Sequence, residues 1–271
     1  MMLFLKRLLR TPGNWLVLAL ALLLAAVAIG GSRIAPHDPL AVDTDVRFRP
    51  PGSVYWMGTD NLGRDVASRV IAGTRLALQS AAVILLSATV VGVSIGLVSG
   101  YYGGLVDEVF MRLSDILIAF PGLVLALAIA AALGPNLTNA MIAIAAVWWP
   151  PYARLVRGQV LSIKERDYIL ALRSLGAGDL RILFNHILPN IMVPFIVQLT
   201  SDVGPALVTT SSLSFIGMGA QPPTPEWGSM VSLGRKYILD YWWISTFPGA
   251  AIFLTVLVFN AVGEALRKAM R

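Results

Sequence analysis

Cysteine is absent from this chain, and histidine occurs only twice among its 271 residues. Without cysteine the protein forms no disulfide bond, has no thiolate metal ligand and offers no thiol nucleophile. A zinc site needs three or four ligands, so His37 and His186, which lie far apart in the sequence, do not predict one. The sequence therefore predicts neither a metal site nor a catalytic site on this chain.

Charged residues are also scarce, since Asp, Glu, Lys and Arg make up 13% of the chain and hydrophobic residues 56%. Soluble domains have about 25% charged residues, so this composition predicts an integral membrane protein. The net charge of +6 comes from Lys and Arg that flank apolar segments rather than from one basic patch. That distribution is typical of membrane topology and does not predict a nucleic-acid partner.

Six apolar segments have the length of membrane-spanning helices, which is about 20 residues. Backbone groups in lipid must bond within their own segment, and this favours helices. The sequence therefore predicts an all-α polytopic membrane protein with six transmembrane helices. The predicted spans are Trp15–Gly31, Leu76–Ser99, Phe110–Leu133, Thr138–Val156, Ile191–Gly217 and Ile244–Gly263.

The first apolar segment follows the basic stretch MMLFLKRLLR and has two interpretations, a cleaved signal peptide or a retained helix. We expect a retained helix, because the segment is needed to complete the set of spans. Of the 21 Lys and Arg residues, 13 then lie on the same side of the membrane as the two termini and eight on the other side. Because Lys and Arg are more frequent in cytoplasmic loops, this distribution predicts cytoplasmic termini. The predicted layout is a cytoplasmic N-terminus at 1–14, a first span at 15–31, a periplasmic loop at 32–75, a five-helix core at 76–267 containing a cytoplasmic loop at about 157–190 and a periplasmic loop at about 218–243, and a cytoplasmic C-terminus at 268–271.

The segment Ser162–Pro194 is charged, yet it lies between membrane spans. Its apolar residues follow a helical period in two runs, Tyr168, Leu172 and Leu175, then Leu180, Leu183, Phe184 and Ile187. Gly176 and Gly178 separate the runs and predict a sharp turn, and Asp179 is placed to cap the second helix. The pattern indicates a surface for a soluble partner. The alternative is an amphipathic loop that lies on lipid headgroups.

Within this segment, Asp167–Pro189 resembles the "EAA" loop of binding-protein-dependent ABC importer permeases. Ala171, Gly176, Leu188 and Pro189 fit that pattern, whereas Leu170 stands where the pattern has Glu and Leu172 where it has the second Ala. Four further segments resemble the peptide/nickel permeases, in the same order along the chain. They are Gly58–Leu78, Ser99–Asp115, Ser214–Met230 and Phe247–Arg267.

The resemblance implies the shorter permease of a heterodimer, with the type I ABC importer fold and a cytoplasmic coupling helix. Its implied partners are a homologous permease, one or two ABC ATPases, an extracytoplasmic substrate-binding protein and the inner-membrane lipid. ATP and Mg would bind to the ATPase, and this chain would bind no cofactor. The implied substrates are di- or oligopeptides, with nickel or another metal chelate as the alternative within the family.

Two other classes of function remain open at this stage. A gradient-driven secondary transporter would show inverted repeats and broken helices near the midplane. A polytopic membrane enzyme would need clustered acids or histidines near the interface.

The resemblance also places the contact with the ATPase on the cytoplasmic loop. The candidate coupling residues are Glu165, Asp167, Tyr168, Ala171, Leu172, Arg173, Leu175, Gly176, Ala177 and Arg181.

One acidic residue, Asp202, lies inside the fifth apolar segment. An acid within a membrane span is costly and normally faces a cavity or a partner helix. We therefore expect this span to line the substrate path, with a structural hydrogen bond across the bundle as the alternative. The candidate path residues are Asp202, Gln198, Ser201, Thr209 and Ser212.

The sequence GTDNLGRD has the glycine spacing of a phosphate-binding loop, at Gly58 and Gly63. However, Arg64-Asp65 replaces the Lys-Ser/Thr that binds phosphate and magnesium, so we do not predict a nucleotide site. The segment instead indicates a turn held by ion pairs, with contact to a binding protein as a second possibility. The candidates for that contact are Asp60, Arg64, Asp65, Glu226 and Trp227.

Two local patterns make further structural predictions. Gly92, Gly96 and Gly100 form GxxxGxxxG, which predicts close helix packing, within the bundle or against a partner subunit. Arg112 and Asp115 are spaced three residues apart and predict a local ion pair.

Overall fold

A computed structural model describes residues 12–270 of the chain, without the side chains of Pro12, Gly13, Ser32, Val193 and Met270. Ten α-helices account for most of this part, whereas residues 1–11 of the predicted cytoplasmic N-terminus, and Arg271, lie outside it. The helices are α1 (Pro12–Gly30), α2 (Val66–Tyr102), α3 (Gly104–Ala119), α4 (Gly122–Leu133), α5 (Leu137–Lys164), α6 (Asp167–Ser174), α7 (Asp179–Ile182), α8 (Leu188–Ile216), α9 (Trp227–Gly234) and α10 (Trp243–Met270). Short 3₁₀ segments occupy Gly31–Arg33, Thr44–Val46 and Arg235–Tyr237, and a π-helical turn covers Leu183–Ile187. The described residues form no strand, only an isolated bridge between Thr59 and Asp65, which confirms the all-α class.

The seam between α2 and α5 is the most extensive helix contact. Glycines let the two backbones approach, because a Cβ on Gly92 would lie 2.6 Å from Tyr152 Cβ and one on Gly96 only 2.5 Å from the Ala153 carbonyl oxygen. The same crowding occurs at Gly100. The GxxxGxxxG pattern therefore packs within the bundle.

The third predicted span, Phe110–Leu133, is not one straight helix. It consists of α3 and α4, which meet at an angle of 93°. Phe120 at the break has the extended conformation, with φ −91° and ψ 144°. The next residue is Pro121, and proline disfavours the helical conformation of the residue before it. The prediction of an unbroken span was therefore wrong.

Among the described residues, two helices are long and apolar enough to cross a membrane, Val66–Tyr102 and Trp243–Ala269, and the number rises to four if each of two bent helix pairs is one span. The part of α1 from Asn14 to Gly30 is at the short end of the range of about 17–25 residues for a span. The Trp-Trp-Pro-Pro-Tyr sequence in the middle of α5 lowers the hydropathy of that helix. The number six stays a prediction.

Two ion pairs fix α3 to α5. The guanidinium of Arg157 donates to both carboxylate oxygens of Asp107, at 2.5 and 2.6 Å, and Arg154 pairs with Asp115. The predicted local pair between Arg112 and Asp115 was therefore wrong, since Asp115 reaches across to the neighbouring helix.

Candidate functional site

Asp202 lies at the midpoint of α8, fourteen residues after Leu188 and fourteen before Ile216. Tyr152 of α5 donates its hydroxyl to Asp202 Oδ2 at 2.8 Å, and Gln198 donates its side-chain amide to Oδ1 at 2.9 Å. The carboxylate therefore accepts hydrogen bonds from both sides. Sequence analysis found Asp202 but not Tyr152, because no local pattern links residues 50 positions apart.

A cavity of about 550 Å³ lies beside this carboxylate. Its walls come from the break between α3 and α4, from α5 and from α8. The lining residues are Leu117, Ile118, Phe120, Gly122, Val147, Trp148, Pro151, Tyr152, Leu155, Gln198 and Asp202. This volume lies within the range of about 300–1,000 Å³ that is usual for small-molecule sites.

The remaining predicted path residues do not share this cavity. Ser201 faces α10, since a Cβ on Gly263 would lie 2.5 Å from its hydroxyl. Ser212 lines a second, more apolar cavity of about 620 Å³ between α4, α8, α9 and α10. Thr209 donates its hydroxyl to the Pro205 carbonyl one turn earlier in α8, so it bonds its own helix. The structure thus brings together only Asp202 and Gln198 of the five.

An exposed apolar surface lies around α6 and α7, and we call it the α6–α7 surface. It consists of five large side chains that are 40–84% exposed, namely Tyr168, Leu170, Leu175, Leu180 and Phe184. Ile169, Ile182, Leu183 and Ile187 point the other way and are buried in the main core. The segment therefore has a firmly anchored inner face and an outer apolar face.

The predicted apolar face of the second run is split by the π-helical turn Leu183–Ile187. Leu183 and Ile187 are buried, whereas Leu180 and Phe184 are exposed. A π turn has i→i+5 bonds and shifts the helical phase. The assignment of these four residues to one face was therefore wrong.

The turn between α6 and α7 depends on Gly176, whose φ of +81° favours glycine. Gly178 is the N-cap of α7 without a positive φ, and Asp179 does not provide the predicted cap. Instead, Asp179 accepts a hydrogen bond from the Tyr101 hydroxyl at 2.7 Å. The guanidinium carbon of Arg173 lies 5.0 Å from the Tyr101 ring centroid. Tyr101, at the end of α2, therefore holds both helices.

The predicted coupling residues lie around this surface. Leu172 and Ala177 are partly buried and pack on the core. The other eight are exposed, and they are Glu165, Asp167, Tyr168, Ala171, Arg173, Leu175, Gly176 and Arg181.

The five candidates for contact with a binding protein are at most 5% exposed. Asp60 accepts from the Arg64 side chain at 2.6 Å, and Asp65 caps α2 by accepting from Ser68 N at 2.9 Å. These are the ion pair and turn that the sequence indicated. In this conformation the side chains support the loop rather than reach its surface.

Glu226 and Trp227 are also held inside. The Glu226 carboxylate accepts from Gly228 N at 3.0 Å and Ser229 N at 2.8 Å, which caps α9. Burial raises the pKa of the Glu226 carboxyl above its ordinary value, although these hydrogen bonds act in the opposite direction. Trp227 donates its indole N–H to the Val70 carbonyl at 3.0 Å.

Metal ligands do not gather anywhere in residues 12–270, since no three His, Asp or Glu side chains lie close enough to hold an ion.

Residues 92–271 match the family described as "Binding-protein-dependent transport system inner membrane component". This match begins within α2 and includes both the Asp202 cavity and the α6–α7 surface.

Several curated relatives match most of the chain. A probable D,D-dipeptide transport system permease from Escherichia coli K12 is 46% identical over 86% of this chain and 78% of its own length. A glutathione transport system permease from Pectobacterium atrosepticum is 42% identical over 92% and 83%. A dipeptide transport system permease from Alkalihalophilus pseudofirmus is 45% identical over 83% and 74%.

Among solved structures, the fold is similar to a chain of the MetNI methionine ABC transporter in an inward-facing conformation. The TM-score is 0.59 at 17% identity, covering 74% of this chain and 96% of that one. This likeness shows the permease fold.

Proposed function

Because the chain belongs to the family of binding-protein-dependent transport system inner membrane components, we propose that it works as the permease subunit of an ATP-driven peptide importer. The observation that carries the proposal is the α6–α7 surface. Five large apolar side chains are exposed there on a segment whose opposite face is buried in the core. A soluble ATPase is the partner that such a surface fits in this family.

The proposed assembly contains a second, homologous permease and one ATPase docked on each permease, with one or two types of ATPase. Six spans place both termini and the 157–190 loop in the cytoplasm, and the loops at 32–75 and 218–243 face a substrate-binding protein outside. The distribution of Lys and Arg supports this orientation. The binding protein would contact the exposed residues around Asp60 and Glu226, while the buried side chains of these two residues hold the loops in place.

The proposed substrates are di- or oligopeptides delivered by the binding protein. Support comes from the relatives, whose names include dipeptide and glutathione permeases, and from the cavity of about 550 Å³ beside Asp202. ATP and Mg would bind only to the ATPase, and this chain would break no covalent bond.

Movement of the ATPase would reach the membrane helices through Tyr101. Its hydroxyl bonds Asp179 and its ring contacts Arg173, so displacement of α6 and α7 pulls on the end of α2. Since α2 is packed along α5 without space at its glycines, the two helices would move together. ATP binding would thus bias the bundle between inward-open and outward-open packings.

The test is to replace one exposed leucine in the α6–α7 surface with a charge. Leu175 is 84% exposed, so Leu175→Glu leaves the core intact. Leu239→Glu changes an even more exposed residue, 95%, that follows α8 along the chain. We expect Leu175→Glu to lose the ATPase during purification of the tagged complex from its own operon, and Leu239→Glu to retain it. Equal retention by both variants, with uptake driven by a proton gradient and not by ATP, would overturn the proposal.

A further inference from the structure

The Asp202 carboxylate has hydrogen-bond partners but no cationic partner. Both of its donors, Tyr152 and Gln198, are neutral, and none of the described residues forms an ion pair with it. Both side-chain oxygens of Asp202 accept a hydrogen bond, as the oxygens of a carboxylate do. A negative group in the middle of a membrane helix without a countercharge is costly, and such groups mark substrate or ion pathways.

The cavity around Asp202 does not provide the missing charge. Among its eleven lining residues, Asp202 is the one charged group, and the others are apolar side chains, Tyr152 and Gln198. An apolar cavity with few fixed polar groups is the usual form of a small-molecule site. The arrangement fits the end of a ligand that carries a positive group next to an apolar or neutral part.

The carboxylate is also held in a fixed direction. Tyr152 is 3% exposed, its Cβ abuts Gly92, and its ring packs edge-on against Phe195 at 5.5 Å. Its hydroxyl therefore has little freedom to follow Asp202. A carboxylate offers about four acceptor positions, and the two bonds made here leave the others for a ligand in the cavity.

A purely structural role does not need the charge. Asparagine would accept the Tyr152 hydroxyl and keep the link between α5 and α8 without the desolvation of a carboxylate. The presence of the acid beside an open cavity therefore favours a role that uses its charge.

We propose that Asp202 binds the ammonium group of the peptide substrate as it passes through the membrane, with Tyr152 as the residue that positions the carboxylate. This inference rests on the proposed function, since it assigns a substrate contact to the same permease. It makes the permease itself selective for peptides with a free amino terminus.

Uptake should be measured in proteoliposomes that contain the complete complex and its binding protein. The variants are Asp202→Asn and the matched acid-to-amide change Glu264→Gln, on an exposed charge cluster of α10. The substrates are a dipeptide and its N-acetyl derivative. Because both permease variants use the same binding protein, its preference cancels when the ratio of the two uptake rates is compared between variants.

We expect Asp202→Asn to lower dipeptide uptake by about 10- to 100-fold, the loss typical of a charged hydrogen bond, and to leave N-acetyl dipeptide uptake and complex recovery unchanged. Glu264→Gln should match the wild type. Equal loss of uptake with both substrates would overturn the inference. Loss of the second permease from the complex would also overturn it, because Asp202 would then pair with a cationic group of that subunit. If the wild type shows no ATP-driven uptake of either peptide, the proposed function itself fails.

A second measurement decides the case in which the binding protein rejects the acetylated peptide. An apolar carbodiimide should modify Asp202 in the purified complex, and mass spectrometry measures the labelled fraction. We expect millimolar dipeptide to protect Asp202 and the N-acetyl derivative not to protect it. Equal protection by both peptides, or by neither, would contradict an ammonium subsite.

Discussion

Glu226 is a single residue on which the start of α9 depends. Its carboxylate accepts two backbone N–H groups while the side chain is 3% exposed. Loss of an N-cap costs about 1 kcal/mol. We therefore expect Glu226→Ala to lower the melting temperature of the purified protein in detergent, and Glu226→Gln, which keeps an acceptor, to lower it less. An unchanged melting temperature in Glu226→Ala would contradict the capping role.

The same residue makes stability depend on pH. Burial raises the pKa of the Glu226 carboxyl in the folded protein above its ordinary value of 4.5. The folded state therefore binds more protons than the unfolded state just above pH 4.5, and stability contributed by this group is lost as pH rises. We therefore compare the melting temperatures of the wild type and Glu226→Gln at each pH. From pH 4.5 to pH 7, the melting temperature of the wild type should fall relative to that of the variant. A constant difference across that range would show that Glu226 does not titrate between the two states.

Residue-scale prediction from the sequence succeeded where the chemistry is local. An acid in an apolar span predicts a cavity or a partner, and Asp202 has both a cavity and Tyr152. It failed where the partner is distant, because Asp179 has the spacing of a cap but bonds Tyr101, 78 positions away. Such a contact depends on how α2 approaches α7, which no local pattern encodes.

The α2–α5 seam is the element-scale feature with the clearest mutational test. A Cβ at Gly96 would lie 2.5 Å from the Ala153 carbonyl oxygen and 2.7 Å from Val156 Cβ. Because both neighbours are close to the backbone, the helices must separate, and overpacking costs about 1–3 kcal/mol. Gly96→Ala should therefore lower the melting temperature. Gly158→Ala is the control, since nothing lies within 4 Å of a Cβ there, and it should leave the melting temperature unchanged or raise it slightly.

The contact between α2 and the α6–α7 surface gives a second element-scale prediction. Tyr101→Phe removes the hydroxyl that bonds Asp179 but keeps the ring beneath Arg173. We expect the variant to retain the ATPase and hydrolyse ATP while peptide uptake falls several-fold, because the movement is no longer fully transmitted to α2. Tyr102→Phe removes the hydroxyl of the neighbouring tyrosine, a residue that is 54% exposed, and should behave as the wild type. Full uptake by Tyr101→Phe would exclude this transmission.

Hydropathy predicted the helices at element scale but not their breaks. The apolar run through Phe110–Leu133 continues across Pro121, and a window average does not register one proline. The break matters for function, because Phe120 and Gly122 at this point line the cavity beside Asp202. The π turn at Leu183–Ile187 was missed for a similar reason, since it changes the helical phase within a run that stays apolar throughout.

At the scale of the whole molecule, two groups of exposed apolar side chains differ in what can cover them. Those on α1, α2 and α3 belong to helices that lie within the predicted spans or beside them, where lipid and a second permease can cover them. Those of the α6–α7 surface precede α8, which bends by 53° between Met192 and Pro194 and continues to Ile216. The part from Pro194 to Ile216 alone is about 35 Å long at 1.5 Å per residue, which exceeds the hydrocarbon thickness of about 30 Å. In the proposed orientation the surface therefore lies outside the lipid, where a soluble partner can cover it.

Orientation in the membrane is the last prediction at this scale, and the composition makes it simple to test. Because the chain has no cysteine, Leu175→Cys and Leu239→Cys each introduce a unique thiol at an exposed position, one before α8 and one after it along the chain. If the termini and the α6–α7 surface are cytoplasmic, a membrane-impermeant maleimide added to intact spheroplasts should label Cys at 239 and not at 175. Inverted vesicles should give the reverse pattern, and permeabilised cells should label both. Labelling of 175 from outside would invert the topology and place the proposed ATPase surface on the wrong side of the membrane.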